Sequence, residues 1–129
     1  MKKESREKLK SRLLEIMIGH IGRSKAIGMG ELYEQVFGRP YNNRINDTRR
    51  LRSLITELRK DGKGICSAST KEGSGYWIAS ADSELRDYCS KLRKKAFKIL
   101  RMESNIMAIS MPELMGQMEL ELNWEQTKE

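Results

Sequence analysis

Cysteine, proline and histidine are scarce in this chain of 129 residues, which holds two, two and one of them. Cys66 and Cys89 are too far apart for a CxxC pair, and His20 gives them little company as a metal ligand. Two free thiols in a reducing compartment are expected, with no metal and no cofactor. Glu31 and Glu34 stand at i, i+3, but no further ligand accompanies them. Apolar runs extend only a few residues, far short of the roughly 20 that span a bilayer. The opening MKKESREKLK lacks the apolar centre of a secretion signal, which points to a cytoplasmic protein without a membrane partner. The phosphate-cradling GxxxxGKS/T and the nucleophile elbow GxSxG are both absent, and His20 would be the only imidazole base, so no enzyme is expected.

Charge is plentiful and uneven. Charged residues make up 33% of the chain and hydrophobic ones 38%, a balance that suits a folded domain rather than disorder. Residues 1–101 hold 24 Lys/Arg against 12 Asp/Glu, net +12; residues 102–129 hold one Lys and six Glu, net −5. The first part suits a polyanionic partner, because cations steer phosphates in and release their counterions. The last part does not.

Hydrophobic spacing divides the chain into elements. Leu9, Leu13, Ile16, Met17 and Ile21 recur at helical intervals, predicting a helix from residue 5 to about 22 that Gly19 and Gly22 weaken and stop. Residues 25–28 are read as a brief strand or an extended loop. A short helix is expected over 29–37, ended by Gly38-Arg39-Pro40 because proline cannot continue a helix. After a connector at 41–45, a third helix is expected over 47–60, capped by Asn46 or Asp47. Leu51, Leu54, Ile55 and Leu58 form its apolar stripe, and Asp61-Gly62 ends it. Strands at 65–69 and 76–78, joined by the polar, glycine-rich run 70–75, predict a hairpin over 65–78. Alternation on that hairpin turns one of Tyr76 and Trp77 to the core and the other outward.

The order helix, short helix, helix, hairpin resembles the winged helix-turn-helix DNA-binding family of small bacterial or phage type, over a little more than half of the chain. The residues that carry the likeness are Gly30-Glu31-Leu32-Tyr33-Glu34-Gln35-Val36 for the first helix of the pair and 48–62, Thr48-Arg49-Arg50-Leu51 onward, for the second. Gly75-Tyr76-Trp77-Ile78 matches a returning wing strand. The connector 38–46 is longer than that of a tight helix-turn-helix. The likeness implies a mainly α fold with a small hairpin wing and a second helix lying in the major groove of duplex DNA. Asn43, Arg44, Asn46, Thr48, Arg49, Arg50, Arg52 and Ser53 become the candidate contacts on that helix, with Lys63 and Lys71 on the wing. Arginine forks match guanine, asparagine matches adenine, and Arg and Lys also hold phosphates. The function expected is transcriptional regulation or a replication-associated role.

A capping signal at 80–82 opens a long basic helix to about Met107, with Leu85, Tyr88, Cys89, Leu92, Ala96, Ile99 and Leu100 in helical period. At about 25 residues it would be near 37 Å long, more than one winged domain can cover. It is expected to pack on the first helix and then project, or to pair with a second copy. Pro112 starts a further element, an acidic and Met-rich segment with Glu113, Glu119, Glu121 and Glu125. The domain reading is therefore 1–80, 81–109 and 110–129. Leu92, Ile99, Met107, Leu114, Met115 and Met118 are candidate protein contacts for a homodimer or for a host or phage protein. The alternative function is accordingly a protein-binding adaptor or inhibitor, one compatible with a phage origin, built on the same fold.

Overall fold

The computed structural model describes residues 5–70 and 73–127. It is mainly α, with one two-stranded antiparallel hairpin and a long helix in the C-terminal part. The elements in order are α1 (Arg6–Ile18), a single 3-10 turn (Arg23–Lys25), α2 (Met29–Phe37), α3 (Arg44–Lys60), β1 (Ile65–Thr70), β2 (Gly73–Ile78), α4 (Asp82–Met107) and α5 (Met111–Thr127). Two compact units emerge, Met1–Arg86 and Asp87–Glu129. The boundaries differ from the sequence-based 80/81 and 109/110. The first residues of α4 fall in the first unit and α5 falls with the rest of α4; ahead of α4, Ala79 N–H donates to the Gly64 carbonyl at 3.1 Å.

One core organises the first unit. Leu13 and Met17 of α1, Leu32, Tyr33 and Val36 of α2, and Leu51, Leu54, Ile55 and Leu58 of α3 are buried together with Ile27, Ile65 and Tyr76. Each such side chain contributes about 1.5–3 kcal/mol by leaving water. The stripe on α3 faces this core as its spacing predicts. α2 keeps its expected ends, and Gly38 closes it in the left-handed conformation, φ 65°, with its N–H on the Glu34 carbonyl.

Three local expectations change. The first concerns α1, which stops at Ile18 rather than near residue 22. The backbone beyond it turns to the open edge of β2, where unpaired amides and carbonyls need partners. Ile78 N–H donates to the His20 carbonyl at 2.9 Å, and Gly22 N–H donates to the Ile78 carbonyl at 2.7 Å. Ile21 is half exposed rather than part of an α1 stripe. Ile27 then exchanges both backbone bonds with Tyr76, at 2.9 and 2.8 Å, so the extended stretch at 25–28 borders the hairpin.

The second change lies at the start of α3. Neither Asn46 nor Asp47 is the cap. Asn43 is, accepting the Asn46 N–H at 3.1 Å on its side chain. Asp47 instead reaches back to the N–H groups of Asn42 and Asn43, at 3.2 and 3.0 Å. These bonds satisfy amides that a helix start leaves open and bring Arg44, Ile45 and Asn46 into the first turn. The third change is in the hairpin. β2 begins at Gly73, pairing Thr70 with Gly73 through to Ile65 with Ile78. Tyr76 and Trp77 are both buried, so neither faces outward. Trp77 pairs with the buried Cys66 on the face opposite Tyr76, with the Arg23 guanidinium 5.6 Å from its ring.

In the second unit α4 ends in a Schellman turn. Ala108 N–H donates to Asn105 at 3.2 Å and Ile109 N–H to Ser104 at 3.0 Å, with Ala108 at φ 56°. Ser110 starts α5, its hydroxyl accepting from Glu113 N–H at 3.2 Å. Leu114 is buried at this turn, which removes it from the surface contacts expected of it.

Candidate nucleic-acid interface

α3 carries Arg44, Arg49, Arg50, Arg52, Arg59 and Lys60 against two acids, Asp47 and Glu57. With Leu51, Leu54, Ile55 and Leu58 buried, the 100° step of the helix turns Arg49, Arg52, Ser53, Thr56 and Lys60 to the far side, all of them exposed. Both acids are already engaged. Asp47 holds the helix start, and Glu57 takes the Nε of Arg6 at 2.7 Å. Among the described residues, no hydrogen bond or ion pair engages the side chains of Arg44, Arg49 or Arg52. The outer face of α3 therefore presents Arg49 and Arg52 with their donors free, while Arg44, in line with Leu51 and Leu58, is exposed at the first turn, ahead of the core.

The neighbouring flank of α3 forms a cleft of about 360 Å³ lined by Arg6, Leu9, Phe37, Arg49, Arg50, Ser53 and Leu54. Arg50 stacks over Phe37 at 4.6 Å, which fixes its guanidinium at the rim. Arg6 Nη2 donates to the Ser53 hydroxyl at 2.5 Å. Arg6 is a member of this site that the sequence did not reveal. It lies 51 residues from Glu57, and only the packing of α1 on α3 joins them.

Other candidates are placed less openly. Asn43 is exposed, but its side-chain oxygen serves the cap. Asn46 is exposed in the first turn. Thr48 is half-buried and shares a hydrogen bond with the Tyr41 hydroxyl at 2.5 Å, so its oxygen is occupied. Arg59 turns to the hairpin, donating to the Ile65 carbonyl at 2.9 Å and the Ser67 hydroxyl at 3.2 Å. Lys63 is exposed ahead of β1, and Lys71 lies outside the described residues.

Two pKa shifts mark how α3 is seated. Burial, then the hydrogen bond to Asp47, raises the Tyr33 phenol above its ordinary range. Lys10 is raised as well, first by its hydrogen bond to Asp61, whose carboxylate lies 3.0 Å away. His20 Nδ1 lies 2.7 Å from the Lys25 carbonyl, which gives this ring a loop-bracing role. Cys66 is buried, Cys89 is exposed, and neither is in a disulfide. Among the described residues no group of three or more His, Cys, Asp or Glu is placed to hold a metal ion, and no helix is long and apolar enough to cross a membrane.

No family model matches the chain, and neither a curated protein nor a solved structure matches it.

Proposed function

We propose that the protein binds duplex nucleic acid, DNA foremost, through the first turn and outer face of α3, as a non-enzymatic transcriptional regulator or replication-associated factor. The observation that carries this reading is the set of exposed guanidinium groups at Arg44, Arg49 and Arg52, which core packing does not need and the acids of α3 do not neutralise. Desolvating such groups is favourable only where a partner supplies anions, and a phosphate backbone supplies them at regular spacing. The order of α1, α2, α3 and hairpin accords with a winged helix-turn-helix, in which α3 is the groove-reading element. Arg50 and Arg6, at the cleft beside α3, suit the flanking phosphates.

The test compares the parent with Arg44→Ala/Arg49→Ala/Arg52→Ala on a duplex, a single strand and an RNA hairpin of equal length. The parent should prefer the duplex DNA. The triple variant should lose most of that affinity while keeping the parent's helical circular dichroism. Equal binding by parent and variant would remove α3 from the interface. A second reading, an adaptor that binds another protein, is favoured by the exposed apolar side chains of 87–129.

A further inference from the structure

The second unit has a large apolar surface and little interior. Of the twelve exposed large hydrophobics among the described residues, nine lie there: Leu92, Phe97, Ile99, Met102, Ile106 and Met107 on α4, and Met115, Leu120 and Leu122 on α5. Among the described residues of this unit, only Ser104 and Leu114, both near the turn, are buried. Ile99 is 66% exposed, Ile106 78% and Leu122 59%, so α5 does not cover the α4 stripe of its own chain. Two helices left in this state are an incomplete bundle, since apolar faces of this length are ordinarily covered.

Spacing and charge specify what covers them. Leu92, Ile99 and Ile106 recur every seven residues, the repeat of a helix that packs along another helix. Arg93 flanks this stripe on one side, with Lys91 and Lys95 on the other, and residues 91–101 hold six cations and no acid. α4 laid on α4, in either direction, would bring these cations together. α5 has the opposite character. Met111, Met115, Met118 and Leu122 share one face, bordered by Glu119 on one side and Glu121 on the other, and α5 contains no Lys or Arg.

We infer that residues 87–129 are an isologous dimerisation element, in which α5 of each copy lies along the α4 stripe of the other. The pairing closes by twofold symmetry, because each copy offers one basic and one acidic helix. It covers both apolar stripes at once and sets Glu119 and Glu121 against Lys91, Arg93 and Lys95 of the second copy. It goes beyond the proposal for α3 and does not depend on it.

Molecular mass by sedimentation equilibrium on the full chain is the first measurement. The parent should be a dimer at micromolar concentration, and Ile99→Asp/Ile106→Asp should be a monomer with unchanged helix content. Charge exchange then tests the α4–α5 pairing itself. Glu119→Lys/Glu121→Lys should weaken self-association by roughly tenfold or more, as should Lys91→Glu/Lys95→Glu. Mixing the two variants should restore tight association, since each basic helix then meets an acidic one. A monomeric parent overturns the inference. So does a dimer that ignores the α5 substitutions, or one whose two charge variants fail to recover on mixing. The arginine variant of α3 should keep the parent's mass, which separates failure of this interface from failure of nucleic-acid binding.

Discussion

At Ala108 the backbone adopts φ 56°, a conformation that costs an L-residue with a Cβ about 1–2 kcal/mol. Glycine is the usual occupant of this point in a Schellman turn, so Ala108→Gly should stabilise the α4–α5 turn by roughly 0.5–1 kcal/mol, less if chain entropy offsets it. Urea unfolding followed by circular dichroism would show a raised midpoint; a lowered one would mean that the Ala108 methyl makes a contact worth more than the strain. Tyr33 gives a pH prediction. Its folded-state pKa is raised, so its contribution is complete below the unfolded value of about 10 and is lost as pH rises through the folded value. Lys10, also raised, acts in the same direction. Stability should therefore fall above about pH 10, and Tyr33→Phe should flatten part of that fall. An identical alkaline slope in the variant would show that the phenol is not the titrating group.

β2 lies between β1 and the backbone of residues 20–28. A Cβ at Gly75 would sit 2.7 Å from the Ile27 carbonyl oxygen, so Gly75→Ala must push the two segments apart. A loss of about 1–3 kcal/mol is expected in thermal or urea unfolding, and an unchanged midpoint would contradict the placement of 25–28 against the hairpin. Sequence pattern does not specify this contact, because it joins segments about 50 residues apart. α2, α3 and the hairpin were legible because spacing and glycine stops act locally. Leu51 through Leu58 mark a helix face whatever the rest of the chain does. The end of α1 was not legible, because Ile21 continues the helical spacing while its neighbours His20 and Gly22 are drawn off by the distant Ile78. Tyr76 and Trp77 were half legible. Alternation does place them on opposite faces, but the far face is covered too. In the candidate site the arginines of α3 were visible as a cluster, whereas Arg6 was not, and Thr48 looked free until Tyr41 took its hydroxyl.

Across the whole chain, charge separates along the sequence, net +12 through residue 101 and −5 after it. The two proposals use that separation differently. Cations on α3 are directed at a polyanion, while those on α4 between Lys91 and Arg101 are matched to α5 of a second copy. The first assignment is the central one, and salt dependence measures it most directly. Affinity for a short duplex should be determined from low to physiological salt and beyond, for the parent and for Arg44→Ala/Arg49→Ala/Arg52→Ala. The parent's log affinity should fall linearly with log salt, and each phosphate contact removed should lessen the slope by about 0.9. A triple variant with weaker binding and a slope shallower by up to about 2.7 is the predicted result. A parent that does not bind the duplex at low salt, or a variant with the parent's affinity and slope, would contradict the account.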